Sequence, residues 1–291
     1  MQDKIFDSDF FKKLENISLN VRMLMKEGAA GGRKSKAKGS SVEFSDFREY
    51  TMGDDFRRID WNAYGRFDKL FIKLFMEERE AFVNIFIDSS KSMDYGEAKK
   101  STMALKISAV LSYLSLNNLD RVCINDLSNS NLQSSTTYMG RNTFNRCIEY
   151  LENINFKGAT NIEASIKKKN LNTRGVSIVI SDFFTKGKLE ELIKYLIYKK
   201  QEVIIIHILS GEELSPELQG QVRLIDAETN EAKDVVITSQ LIKNYHAHLN
   251  KFINNIKEFS KKVGASYLLI SSEEELEKVV FENLVKLDVI R

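Results

Sequence analysis

Polar and apolar positions along the chain fall into two kinds of pattern. Short continuous apolar runs occur at residues 82–87 (FVNIFI), 176–180, 202–209 (EVIIIHIL) and 266–270. They are β-branched and bounded by polar residues, and they predict strands buried on both faces. Stripes with a step of three or four predict helices. One takes Ala98, Ala104, Ile107, Val110, Leu111 and Leu114, and another takes Phe144, Cys147, Ile148 and Leu151. Further helices are expected at residues 189–198, 239–263 and 273–287, with weaker strands at 121–127 and 136–139. A polar-tipped hairpin is expected from 221–226 and 233–237. Strand and helix alternate, which predicts βαβ units over a largely parallel sheet.

The first 80 residues read differently. Phe11, Leu14, Ile17, Val21 and Leu24 form an amphipathic helix over residues 7–26, capped by Asp7 or Ser8 and packed on the body of the protein. Residues 28–41 are glycine-rich and carry Arg33, Lys34, Lys36 and Lys38. Arg33 follows Gly32 and a helix precedes, so the G-x-x-x-x-G-K-S/T phosphate loop is not matched. Two uses remain open for this stretch: a basic surface loop, or a docking site for an acidic partner surface.

Residues 42–75 keep neither period. They are dense in aromatics (Phe44, Phe47, Tyr50, Phe56, Trp61, Tyr64, Phe67) and in paired charges. The expectation is an ordered, irregular segment pinned by aromatic anchors and Arg–carboxylate bonds, with Asp54, Asp55 and Asp60 pairing to arginine rather than binding metal. Residues 70–75 read as a strand that can form a hairpin with 82–87. The expected division is 1–80, then 81–291.

Two carboxylates stand out at strand ends. Asp88 follows the run at 82–87 and opens D-x-S-x-S with Ser90 and Ser92. Asp182 follows the run at 176–180, and Thr160 lies in a glycine-containing loop between them. In an open α/β sheet, ligands bind beyond the carboxyl ends of the strands. An oxygen-only set placed there suits a hard cation such as Mg2+ or Mn2+. Each residue alone also makes a good cap or turn, Thr160 above all. Capping by itself accounts poorly for two strands ending alike with a threonine loop between them.

Composition narrows the function classes. The chain has 291 residues, 43% apolar and 29% charged, with 43 basic and 41 acidic side chains and a net charge of +2. That balance gives no electrostatic case for nucleic acid. Cys123 and Cys147 are expected as small core residues. A secretory leader and an apolar run of about 18 residues are both missing from the pattern, so a cytoplasmic protein without membrane insertion is expected.

Together Asp88, Ser90, Ser92, Thr160 and Asp182 resemble the metal-ion-dependent adhesion site of the von Willebrand factor A fold. The resemblance covers about residues 81–291. It implies a three-layer, Rossmann-like, mostly parallel sheet flanked by helices, preceded by the irregular N-terminal segment. It also implies Mg2+ (or Mn2+ or Ca2+) held by the serine and threonine hydroxyls directly or switchably. The aspartates would often act through water, and a partner's carboxylate would complete the coordination.

The preceding segment narrows the family. Residues 39–44 (GSSVEF), 48–55 (REYTMGDD) and 58–61 (RIDW) resemble the signature of the domain-of-unknown-function family numbered fifty-eight. Such proteins are associated with MoxR-type AAA+ ATPases as adaptors or chaperone-like partners, often behind membrane helices that this chain lacks. The expected function is a non-enzymatic, metal-dependent interaction module that engages the ATPase and its clients through an acidic side chain. The alternative is a metal-dependent hydrolase or phosphatase using Asp88 and Asp182. Dehalogenase-like phosphatases need a second Asp where Ser90 stands. A serine hydrolase needs a base, and only His207, His246 and His248 are present.

Overall fold

The computed structural model describes residues 6–15, 42–77, 81–128, 131–185, 187–226 and 231–284. The basic loop at 28–41 lies outside them, as do the second half of the expected first helix and the last residues of the expected final one. The chain forms two compact units, residues 27–80 and residues 1–26 with 81–291.

In the larger unit, five parallel strands form the centre of the sheet: β3 (Phe82–Asp88), β4 (Arg121–Ser128), β7 (Gly175–Ser181), β8 (Gln201–Leu209) and β11 (Ser266–Ser271). Their order is β11-β8-β7-β3-β4, and β5 (Asn131–Ser134) and β6 (Tyr138–Met139) pair antiparallel with the outer edge of β4. Side chains alternate between the two faces, as a pleated strand requires. Ile85 and Ile87 of β3 enter one core with α3 (Lys100–Asn117), α4 (Phe144–Glu152) and the C-terminal residues Val279 and Leu284. Phe86 points the other way, into a second core with α5 (Ile162–Lys167) and α6 (Leu189–Tyr198); the long α8 (Ser239–Val263) contributes Ile256 to it. This is the expected mixed α/β arrangement, a mostly parallel sheet between two helical layers.

Helix burial follows the sequence pattern. α4 is amphipathic, and Phe144, Cys147, Ile148 and Leu151 are its buried face. α3 is buried on nearly all sides, and its polar positions Ser101, Ser108 and Ser112 are small enough to fit a packed interior. Where β7 begins, Gly175 passes so close to β3 that a Cβ there would lie 2.3 Å from the Phe82 carbonyl oxygen. Both cysteines are free and buried, as expected.

The expected first helix is α1, described over residues 8–15, and Asp7 caps it by accepting from the Phe10 amide at 2.7 Å. Phe6, Phe10 and Leu14 are buried in the α3 core, with Phe11 packed beside them. That burial places residues 6–15 with the larger unit, whereas the sequence pattern grouped them with residues 1–80. At the C-terminus the expected helix is a short α9 (Leu276–Lys278) running into a π-helical turn at Val279–Leu284.

The smaller unit holds more regular structure than its patterning predicted. β1 (Val42–Glu49) pairs antiparallel with β2 (Phe71–Glu77), with a bulge between Phe44 and Asp46. The bulge breaks the alternation that would have signalled a strand. It also corrects the hairpin expected between residues 70–75 and 82–87: β2 is paired with β1, and both edges of β3 are taken by β4 and β7.

Asp54, Asp55 and Asp60 bond to the chain around them. Asp54 takes two bonds from Arg48 Nη2, at 2.8 and 3.0 Å, and two from Thr51. Asp55 caps the turn Phe56–Arg58, and Asp60 caps α2 (Trp61–Phe67) by accepting from Asn62 and Ala63. Arginine pairing was expected of all three; Asp54 makes it with Arg48, and the side chains of Asp55 and Asp60 accept capping bonds. Phe56, Trp61 and Phe67, expected as anchors, are exposed.

Candidate metal centre

β3 runs to β4 on one side, and the chain later returns as β7 on the other side of β3. The gap beyond the ends of β3 and β7 is therefore a topological switch point, where connections leave in opposite directions and where open α/β sheets bind their ligands. Asp88 ends β3, and Asp182 directly follows β7. Both carboxylates are almost wholly buried, at 2% and 1% exposure.

Each is held by its neighbours. Asp88 Oδ1 accepts from the Ser90 amide at 3.0 Å, and Asp88 Oδ2 accepts from Ser181 Oγ at 2.6 Å. Asp182 Oδ1 accepts from the Phe184 amide at 3.1 Å. Between them Phe183 adopts a left-handed φ of 57°, which turns the chain sharply after β7 while its own amide donates to Ser181 Oγ. Burial pushes the Asp88 carboxyl up to about 6, and the nearby Asp182 charge adds to that; hydrogen bonds from Ser181 and Ser90 pull the other way.

The hydroxyls arrive on two loops stitched together by backbone bonds. Lys91 N donates to Gly158 O, and Lys157 N donates to Ser89 O, both at 2.8 Å. Thr160 Oγ1 donates to Leu127 O at 3.1 Å, which leaves its lone pairs facing away from that bond. Its carbonyl accepts from Thr185 Oγ1. Ser90 Oγ and Ser92 Oγ lie 3.0 Å apart. Adjacent ligands of an octahedral Mg2+, at about 2.0–2.1 Å from the ion, are separated by about 2.9 Å.

The capping alternatives are resolved residue by residue. Asn161, not Thr160, caps α5, by accepting from Ala164 N. Ser90 stands at the head of the short turn Lys91–Asp94 and makes no side-chain cap there. Ser89, the intervening residue, is spent on structure, donating to Asp126 and to Leu127 O.

Among the described residues no group of three or more His, Cys, Asp or Glu is placed to hold a metal ion. A centre here rests on hydroxyls with few carboxylates, a donor set that such a grouping does not contain. In donor chemistry these residues suit a hard divalent cation: the hydroxyls of Ser90, Ser92 and Thr160 could serve as neutral oxygen ligands, with Asp88 and Asp182 as the negative charge behind them.

Two residues at this site carry no local sequence signal. Lys100, in the first turn of α3, is fully buried, and its Nζ contacts Asp182 Oδ2 at 2.7 Å and Glu213 Oε1 at 2.6 Å. Glu213 belongs to α7 (Gly211–Leu214), just past β8, where it forms a capping box with Ser210. His207 is buried in its strand beside Tyr267, with Nδ1 2.8 Å from the phenol oxygen, while its Nε2 is buried without a hydrogen-bond partner. His248 lies on the exposed side of α8.

A family model matches residues 46–252, well over half of the chain. The chain belongs to that family, Protein of unknown function DUF58. DUF58 residues thus include both strand-end aspartates and the hydroxyl loops. Similar chains include the uncharacterized proteins Rv1480 of Mycobacterium tuberculosis and Mb1516 of Mycobacterium bovis. Each is 23% identical over 248 residues, covering 83% of this chain and 78% of its own length.

Solved structures with some similarity include the conserved hypothetical protein BatB from Bacteroides thetaiotaomicron. It is 14% identical, with a TM-score of 0.44, over 72% of this chain and 99% of that one. The SpRpn10 VWA domain is 13% identical, with a TM-score of 0.39, over 70% and 94%. Among the described residues, no helix is long and apolar enough to cross a membrane.

Proposed function

We propose that this DUF58 chain is a divalent-metal-dependent protein-interaction module with a von Willebrand factor A-like site, and that it works without catalysis of its own. One observation carries the reading: two buried aspartates at the ends of adjacent parallel strands face a loop pair bearing Ser90, Ser92 and Thr160, whose side chains cap no helix. Buried carboxylates in close company are unfavourable unless a cation or a proton neutralises them. Mg2+ held mainly by neutral hydroxyls keeps much of its charge, and so attracts a carboxylate from outside. The partner's acidic side chain would complete the coordination.

Against a histidine-based hydrolase stands the position of the one histidine near Asp182. His207 is enclosed and engaged with Tyr267, and burial lowers its affinity for a proton to about 4. The partner we propose is a MoxR-type AAA+ ATPase, with its clients, in the cytoplasm. That choice follows from the sequence signature at residues 39–61. The test is co-purification from native extract in Mg2+ and in EDTA, using the parent chain and Asp182→Ala. Recovery of an AAA+ ATPase by the parent in Mg2+ alone supports the proposal. Equal recovery in all four conditions overturns the metal-dependent contact.

A further inference from the structure

The charge inventory of the site has an unexpected member. Lys100 has no exposed surface, and its ammonium lies against two carboxylates supplied by neighbouring strands, Asp182 after β7 and Glu213 after β8. The rings of Tyr95 and Phe184 close over it, with centroids 6.0 and 5.7 Å from Nζ. A lysine is a costly choice here. It must be fully desolvated, and it sits in the first turn of an 18-residue helix, where the backbone dipole repels positive charge. A neutral side chain would fill the space without that conflict.

The division of lone pairs suggests what the charge is for. Asp182 uses Oδ1 to accept from Phe184 N and gives Oδ2 to Lys100. Glu213 uses Oε2 to accept from Ser210 N and gives Oε1 to Lys100. Lys100 therefore has a second carboxylate within reach without moving. Glu213 is itself fixed, since it forms the capping box of α7 and its carbonyl accepts from Tyr245 Oη of α8 at 2.6 Å.

We propose that Lys100 is a resident cation that shares Asp182 with an incoming divalent metal, with Glu213 holding the ammonium when the metal takes Asp182. This rests on the metal reading of the site. The lysine neutralises Asp182 in the metal-free protein and keeps metal affinity moderate, so that occupancy responds to ligand. Affinity of oxygen-ligand sites is set largely by ligand charge and rigidity, and Lys100 and Glu213 adjust that charge in opposite directions.

Titration of the full chain with MgCl2 by calorimetry, alongside thermal melting without metal, tests the idea. Lys100→Met should bind Mg2+ about tenfold more tightly and melt lower without metal. Glu213→Gln should bind about tenfold more weakly, because Lys100 then leans on Asp182 alone. The double variant should behave as Lys100→Met, since Glu213 acts through the lysine. A purely structural triad predicts unchanged or weakened binding in both single variants, and that result overturns the proposal. Should Lys100→Met fail to fold, the neutral but polar Lys100→Gln takes its place, and Mg2+ affinity no tighter than the parent's overturns the proposal. Mg2+ binding by the parent with unshifted variants removes only this role of Lys100. No binding by any form removes the metal reading as well.

Discussion

Ser181 Oγ donates a 2.6 Å hydrogen bond to Asp88 Oδ2, joining the ends of two adjacent strands through one buried pair. The same oxygen accepts from the Phe183 amide, so one hydroxyl fixes both the carboxylate of β3 and the sharp turn that presents Asp182. Ser181→Ala deletes both links and leaves a buried acceptor and a buried donor without that partner. A loss of about 2–4 kcal/mol is expected in urea unfolding of the metal-free chain. Stability unchanged within error would show that the two strand ends are held by other means.

Burial of α1 predicts that the N-terminal segment is part of the larger unit. Phe10 is 3% exposed and packs edge-on against Phe6 and Phe11. Phe10→Ala should cost about 3–5 kcal/mol, the range for emptying a buried aromatic site. A cost below about 1 kcal/mol, the size of a surface change, would mean that the segment docks loosely.

The pH dependence of stability has a sign set by His207. Burial lowers its folded-state value from 6.5 to about 4; the Asp182 charge opposes this and the Lys100 charge reinforces it, with Tyr267 as the neutral neighbour on β11. The unfolded chain therefore binds the extra proton first as pH falls. Stability from this group is full above about 6.5 and is lost as pH drops toward about 4, by up to about 3 kcal/mol. Asp88, raised to about 6, acts in the opposite direction over much of that window. Comparison of the parent with His207→Gln isolates the histidine, and the difference between the two should shrink as the medium is acidified. A difference independent of pH would contradict a neutral, enclosed imidazole.

Main-chain packing at the start of β7 gives a prediction independent of the site. Gly175→Ala would put a Cβ against the Phe82 carbonyl, a rigid backbone group that cannot rotate away. Strands β3 and β7 must separate locally, at about 1–3 kcal/mol or more. Denaturant unfolding measures it, and a neutral substitution would show that the strands part easily at that end.

The sheet and both strand-end aspartates were legible because buried parallel strands are short apolar runs with polar residues at their ends, as at Ile85–Ile87 and Ile178–Ile180. The hydroxyls were legible as residues but ambiguous in role. Thr160, a candidate for the site, would by itself also have made a good cap for the helix after it, and Asn161 holds that place. β1 was not legible, since its bulge breaks the alternation. Lys100 gave no signal either. Its partners lie 82 and 113 positions away, and nothing local distinguishes a buried lysine from a solvated one in a helical first turn.

If the hydroxyls and carboxylates of Asp88, Ser90, Ser92, Thr160 and Asp182 hold a divalent cation, as proposed, electron paramagnetic resonance of added Mn2+ reads it directly. Such a site predicts saturable loss of the free-ion signal at one site per chain. It predicts competition by Mg2+, and abolition in a Ser90→Ala, Ser92→Ala double variant that keeps the parent's circular dichroism and melting. Mn2+ uptake equal in parent and double variant, or none in either, would contradict it.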